Sequence, residues 1–225
     1  MEIKPVAVFR SPFTSKFGIP KQSGLVKELE GEIVFESAYR NADALRGMDG
    51  FDYLWLIWGF SANRHAANSL VVRPPLLGGN EKVGVFATRS PFRPNPLGLS
   101  SVRISHIDWH DHRGPVIHVL GADLMDGTPI YDIKPYVPYA DARPDARSGF
   151  AQGADSTLEV RCSPDLLAKL PEDQRGALLG ILSQDPRPHY QKDPDRIYGM
   201  AFGAWNVKFR IAEENVTVIS IEKIQ

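Results

Sequence analysis

The residues best suited to chemistry lie in one stretch, Gly84 to Leu99, which reads GVFATRSPFRPNPLGL. It brings the guanidiniums of Arg89 and Arg93 and the amide of Asn95 among Pro91, Pro94 and Pro96. Proline fixes its own φ and has no N–H, so no helix persists there. The residue before each proline (Ser90, Arg93, Asn95) is pushed toward extended or polyproline geometry. In an extended ribbon alternate residues share a face, which puts Arg89, Arg93 and Asn95 on one side. A polyproline II ribbon, turning about every three residues, splays them instead. Rigidly placed charge and amide donors are what a binding site needs. The plainer alternative is a Pro-rich connection whose arginines cap nearby carbonyls.

Two further stretches hold reactive residue types. Gly121 to Tyr136, GADLMDGTPIYDIKPY, gathers Asp123, Asp126, Asp132, Lys134, Tyr131 and Tyr136. Asp126-Gly127 is a strong turn dipeptide, and Ile130 to Val137 resumes as a strand with Asp132 and Lys134 at alternate positions. This segment is either a second wall of the site begun by Arg89 or a hairpin whose Asp126 only supports the turn. Gln184 to Lys192, QDPRPHYQK, again sets Arg187, His189, Tyr190 and Lys192 beside prolines. It reads as phosphate contact with base stacking through Arg187 and Tyr190, or as a helix C-terminus capped by cations. His106, Asp108, His110, Asp111 and His112 cluster, but their spacing matches no compact zinc signature, and a solvated hairpin tip accounts for them.

The elements that must position these groups are mostly strands. Val6 to Phe9 and Gly31 to Phe35 are short strands around a non-periodic loop, Phe13 to Gly24. Asn41 caps one or two helical turns to Arg46. Phe51 to Phe60, FDYLWLIWGF, is aromatic and almost continuously apolar, which predicts a central strand buried on both faces with Trp55 and Trp58 in the core. Asn63 to Asn80 is a long excursion, and Lys82 to Ala87 is a strand. Ser100 to Ile107 and Val116 to Leu120 make a hairpin. Between Asp141 and Ser156 the composition turns to Ala, Arg, Asp, Pro and Gly, a boundary. Beyond it Thr157 to Cys162 is a strand, Ser163-Pro164 starts a helix, and Pro171 starts another running to about Gln184. Ala201 to Ile211 and Val216 to Ile221 form a terminal hairpin.

Composition narrows the function. The 19 glycines and 18 prolines among 225 residues favour many turns and short strands. A formal net charge of −1 means that a nucleic-acid partner must meet a local basic patch. The single cysteine, Cys162, forms no internal disulfide, and with no signal peptide or long apolar run the chain is expected to be cytoplasmic and off the membrane. No dinucleotide fingerprint, P-loop or Gly-x-Ser-x-Gly elbow occurs. An enzyme here relies on polar groups set on β-loops, with a bound organic cofactor.

The runs GVFATRSPFRPNP (Gly84 to Pro96) and LMDGTPIYDIKPYVPYAD (Leu124 to Asp141) closely resemble the TsaA-like family, whose characterised members are the TrmO tRNA methyltransferases. IPKQSGL at Ile19 to Leu25, VRPPLLGGN at Val72 to Asn80 and QDPRPHYQK at Gln184 to Lys192 extend the likeness over nearly the whole chain. The resemblance implies a mainly β fold: a TsaA-like β-barrel over residues 1–145 and a small α/β domain over residues 155–225 that assists tRNA binding. It implies transfer of a methyl group from S-adenosyl-L-methionine to N6 of threonylcarbamoyl-adenosine, 3′ of the tRNA anticodon, by a homodimer with its cofactor site near the subunit interface.

Carried over by motif, Pro20, Lys21, Gln22, Phe60, Ser61, Arg89, Leu99, Met125, Asp126, Gly127 and Thr128 are expected at the cofactor. Many relatives have Phe-His where this chain has Phe60-Ser61. The catalytic set is expected to be Asp126, Asp132 and Asn95, with one of the aspartates removing the acceptor's proton. Arg93 or Lys134 is expected to meet the substrate's threonyl carboxylate, with Arg187 and Tyr190 on the RNA. No metal is required. The competing classes are a non-catalytic RNA-binding β-barrel gripping phosphates through Arg89, Arg93 and Arg187, and a small-molecule hydrolase using Asp126 and Asp132, with or without a metal at the His106 to His112 cluster.

Overall fold

The computed structural model describes residues 2–63, 69–151, 157–188, 191 and 193–224. In chain order its strands are β1 (Ala7–Arg10), β2 (Glu30–Phe35), β3 (Tyr53–Gly59), β4 (Val71–Val72), β5 (Val83–Gly84), β6 (Leu97–Asp108), β7 (Val116–Leu120) and β8 (Thr128–Pro135). A short helix α1 (Pro138–Asp141) follows, then β9 (Glu159–Arg161), α2 (Pro164–Leu167), α3 (Glu172–Ser183), β10 (Ile197–Phe202), β11 (Trp205–Ala212) and β12 (Asn215–Lys223).

The mainly β expectation is met. Six strands pair in the cyclic order β1-β2-β7-β6-β3-β8, and β8 returns to β1. Every pair in the ring is antiparallel. Side chains alternate across each strand, so the inward set fills the ring: Phe9, Ile33, Leu54, Leu56, Trp58, Val102, Ile117 and Ile130. Closure abolishes the exposed sheet edges that would otherwise template aggregation.

Ring closure also corrects the reading of β3. Of its large side chains only Leu54, Leu56 and Trp58 are deeply buried, whereas Tyr53 is 44% exposed and Trp55 is half-buried. Tyr136 packs against both rings, 6.1 Å from Tyr53 and 5.6 Å from Trp55. The apolar run reflects an outer face committed to aromatic contacts rather than to the core.

The second unit is a four-stranded sheet, β10-β11-β12-β9, with α3 packed on it. The Ser163 hydroxyl accepts from Leu166 N at 3.3 Å, the cap expected for α2, and α3 runs much as its apolar pattern indicated. The terminal hairpin was misjudged. Gly203, at φ +56, turns the chain inside the span read as one strand, so 197–202 and 205–212 are separate antiparallel strands. The Lys82-to-Ala87 strand likewise stops at Gly84, where a single 3-10 turn over Val85–Ala87 takes over.

The early loop joins the two units. Phe13, Val26 and Leu29 lie in one core with Leu178, Phe202 and Phe209, far from them in sequence. The Phe13 ring meets Phe202 edge-on at 6.1 Å, and Gly203 N donates to Pro12 O at 2.8 Å. The C-terminal sheet therefore holds the loop that carries Pro20, Lys21 and Gln22.

Candidate functional site

A cavity of about 550 Å³ opens where the early loop, the end of β3, the proline-rich ribbon and the turn before β8 meet. Its lining includes Pro20, Lys21 and Gln22; Phe60 and Ser61; Arg89 and Leu99; and Met125 and Thr128. These are the cofactor residues expected from the motifs, apart from Asp126 and Gly127. Trp55, Trp58, Arg93 and Asp123 also line it.

The ribbon is held by its own side chains. Thr88 Oγ1 donates to Val85 O at 2.8 Å and accepts from Ser90 N at 3.2 Å. Arg93 Nη1 donates to Thr88 O at 3.1 Å and to Ser90 O at 3.4 Å. The carbonyl-capping role and the cavity-facing role thus coexist in one arginine. Arg89 reaches across to donate to Gln22 Oε1, tying ribbon to early loop. Phe60 N bonds Pro96 O at 2.9 Å, and the Phe60 ring stands edge-on to Trp58 at 4.4 Å. Trp55 is anchored by Asp141, which accepts from Trp55 Nε1 at 3.0 Å and from Val137 N at 2.8 Å. Those bonds, Val137 N–H first, hold the Asp141 carboxyl below the usual carboxylate range.

Asp126 and Gly127 shape the cavity from behind. Gly127 takes φ +75, a left-handed turn position that suits glycine. Its N–H donates to Phe9 O at 2.9 Å, and Asp126 N donates to Phe13 O at 2.8 Å. The Asp126 carboxylate accepts from Ser11 N at 3.2 Å and faces Arg10 at 3.5 Å. It ties the turn to the chain after β1 and does not line the cavity. None of Asp126, Asp132 and Asn95, the residues expected to be catalytic, is among those lining the cavity. Asp132 sits opposite Ile57, facing outward, and pairs with Lys134 at 2.8 Å. Asn95 is exposed, and its carbonyl accepts from Leu97 N at 2.7 Å to turn the ribbon into β6. Neither lines the cavity, and nor does Lys134.

Among the described residues, the one carboxylate lining the cavity is Asp123. A directed chain holds it: Trp58 Nε1 donates to Ser100 Oγ at 3.0 Å, and Ser100 Oγ donates to Asp123 Oδ1 at 2.6 Å. Burial pushes the Asp123 carboxyl up from its ordinary range; the Ser100 hydroxyl, backbone N–H groups of Asp123 and Ser23, and the Arg89 charge pull partly back. Sequence reading noted Asp123 only as one aspartate of three. Ser100 held the signal. It shares the inward phase of Val102, and a hydroxyl pointing into an apolar ring requires a partner.

Arg187 lies on the far side of the early loop, in a pocket of about 160 Å³ shared with Lys16, Pro20 and Lys21. It pairs with Asp185 at 3.0 Å, and Tyr190 lies outside the described residues. The His106 ring stacks on His118 at 4.2 Å, and no group of three or more His, Cys, Asp or Glu is placed to hold a metal among the described residues.

A wider groove of about 1450 Å³ continues from the cavity through Lys21, Gln22, Thr88, Arg89 and Pro91. Its described lining includes Lys21, Arg73, Arg89 and Arg147 with no carboxylate, and Phe86 and Phe92 stand 74% and 50% exposed along it. Cations interleaved with protruding aromatics suit a single-stranded nucleic acid.

Fold and site together define a mainly β protein with a small-molecule-sized cavity beside a basic, aromatic groove. Comparison with known proteins agrees. The tRNA-methyltransferase O N-terminal domain family matches residues 8–142, and the TrmO C-terminal domain family matches residues 155–224. The chain is 39% identical over 233 residues to the tRNA (adenine(37)-N6)-methyltransferase of Escherichia coli (strain K12), covering 98% of this chain and 97% of that one. It is 44% identical over 176 residues to the tRNA (adenine(37)-N6)-methyltransferase of Eikenella corrodens, covering 78% of this chain and 99% of the other. The crystal structure of TrmO from Pseudomonas aeruginosa superposes with a TM-score of 0.81 at 29% identity, covering 99% of this chain and 98% of that one. The chain belongs to the TrmO family.

Proposed function

We propose that this chain transfers a methyl group from S-adenosyl-L-methionine to N6 of adenine 37 in tRNA, with a threonylcarbamoyl group already on that nitrogen. The observation that carries the reading is the shared cavity: four separated segments, three of them bearing TrmO-like motifs, converge on one space beside a basic groove. Its volume of about 550 Å³ lies within the ordinary size of small-molecule sites.

The residues present fit the cofactor. Ile19, Phe60, Leu97, Leu99 and Met125 offer apolar walls for an adenine ring. Arg89 offers a guanidinium to the carboxylate of its amino-acid end. Trp58 and Phe60 offer aromatic faces for a sulfonium. When bound, S-adenosyl-L-methionine supplies an electrophilic methyl group.

The chain's part is placement. The acceptor nitrogen is conjugated to a carbonyl and is a weak nucleophile, so alignment by the Phe60 and ribbon walls contributes much of the rate. Arg93 is the cation for the threonyl carboxylate, because it lines the cavity while Lys134 is spent on Asp132. The anticodon loop enters along the groove, its phosphates toward Arg73 and Arg147 and its bases toward Phe86 and Phe92.

In the same reading, the six-stranded ring is the TsaA-like barrel, residues 1–145 perform methyl transfer, and residues 155–225 assist tRNA binding through Arg187 and Tyr190. Two chains pair through the outer face of β3 and β6, where Tyr53 is exposed and Leu97 and Leu99 are exposed beside the cavity. Acting on tRNA, the dimer works in the cytoplasm. No described helix is long and apolar enough to cross a membrane.

The test is incubation of the purified chain with methyl-labelled S-adenosyl-L-methionine and tRNA bearing or lacking the threonylcarbamoyl group. Label appearing at N6 of the modified adenine supports the reading. A chain that binds this tRNA without labelling it is an RNA-binding module and not a transferase.

A further inference from the structure

We infer that Asp123 is the proton acceptor of the methyl transfer, and that Ser100 and Trp58 position it. This deepens the methyltransferase reading and rests on it.

Methylating a nitrogen that already bears hydrogen and an acyl group requires that hydrogen to leave. As the N6–carbon bond forms, the sulfur–carbon bond breaks with its electron pair going to sulfur. The N6–H bonding pair stays on nitrogen, and the proton passes to a base. A candidate must lie within reach of the reacting atoms. Among the described residues, the other titratable groups lining the cavity are Lys16, Lys21, Arg89 and Arg93, cations with no vacant site for a proton. Asp123 is the acidic one.

Its surroundings prepare it for this work. Trp58 donates to Ser100 at 3.0 Å, which commits the Ser100 proton to Asp123 at 2.6 Å. The chain runs in one direction and ends on the carboxylate, fixing its rotamer. From β3, β6 and β8 the cavity receives Trp55, Trp58, Leu97, Leu99 and Thr128, all uncharged. The charge acting on Asp123 is Arg89, from the ribbon, with Lys16, Lys21 and Arg93 along the same lining. Burial raises the proton affinity of this carboxyl while the Ser100 bond restrains the rise, which brings the base nearer to working pH.

The assignment predicts how two variants separate. Asp123→Asn keeps size and shape but cannot take a proton, so kcat falls by about 10²- to 10⁴-fold while calorimetric affinity for S-adenosyl-L-methionine is retained. Ser100→Ala keeps the base but removes a bond favouring its charged form, so the acid limb of the kcat–pH profile moves to higher pH. Both variants are assayed on threonylcarbamoylated tRNA beside the wild type.

An active wild type with an Asp123→Asn variant of equal kcat overturns the assignment alone. So does a variant whose lost rate is matched by lost donor affinity, since Asp123 would then be holding the donor. An acid limb unmoved in Ser100→Ala overturns it as well, even if Asp123→Asn fails to fold. A wild type that binds donor and tRNA but transfers nothing overturns the methyltransferase reading, and this assignment with it.

Discussion

The indole of Trp58 lies across Gly98, its cross-strand partner in the ring, so closely that a Cβ on Gly98 would come within 2.3 Å of it. Both residues line the cavity. The missing side chain is what lets the large ring lie down and aim its N–H at Ser100. Gly98→Ala should cost about 1–3 kcal/mol by overpacking and displace the indole from Ser100. Urea unfolding reads the first effect and kcat the second. A variant as stable and as active as wild type would mean that the close approach has no consequence.

Arg89 links two walls of the cavity through Gln22 and also lowers the proton affinity of Asp123. Arg89→Ala should weaken binding of S-adenosyl-L-methionine by about 10- to 100-fold, the worth of a hydrogen bond to a charged group. Titration calorimetry checks this. Unchanged affinity would show that the donor's carboxylate lies elsewhere.

Arg93→Ala should erase the preference for threonylcarbamoylated over unmodified tRNA, because the cation facing the threonyl carboxylate is gone. Initial rates on the two tRNAs, compared with wild type, decide it. If the ratio of rates is preserved, Arg93 serves only the ribbon carbonyls of Thr88 and Ser90 that it already caps.

Local signals were legible where local physics decides. The Asn41 side chain accepts from Asp43 N at 2.9 Å, as a cap should, and Asp126-Gly127 turns where its dipeptide says. Ser163 and Pro164 open α2 as their types require. What stayed hidden depends on residues distant in sequence. The outer face of β3 read as core because Tyr53 and Trp55 are apolar, yet their partner, Tyr136, arrives from the end of β8. Asp126 read two ways, as turn support or as an acid, because turn and active-site aspartates look alike until Arg10 and Ser11 are seen beside it. Asp123 became distinctive only once β6 brought Ser100 to it.

The groove makes a prediction in two parts, separable by salt. Arg73→Ala removes one phosphate contact, so the slope of log affinity against log salt should shrink by about 1. Phe86→Ala removes a stacking face and should weaken binding by about 1–3 kcal/mol at every salt concentration. Fluorescence anisotropy with an anticodon stem-loop measures both. If neither substitution alters binding, the RNA takes another path to the cavity.

The hairpin tip offers a prediction about acid. Asp111 accepts from Arg113 through side chain and backbone, at 2.7 to 2.9 Å, and Arg113 continues to Glu32 on β2 at 2.8 Å. The Arg113 side-chain bond, then its backbone N–H, hold the Asp111 carboxyl well below the usual carboxylate range, while Asp111 and Glu32 hold the guanidinium proton more firmly than usual. A carboxyl whose folded pKa is depressed stabilises the fold above its unfolded value of about 3.9, and that share is lost as pH falls toward the folded value. Asp111→Asn should therefore unfold more easily than wild type at neutral pH, with the gap closing progressively below about pH 4. Unfolding midpoints across that range test it. A gap that stays constant through the acid range would show that the Asp111 amide analogue fails for reasons of packing, and that the charge at this tip contributes nothing to holding β7 beside β2.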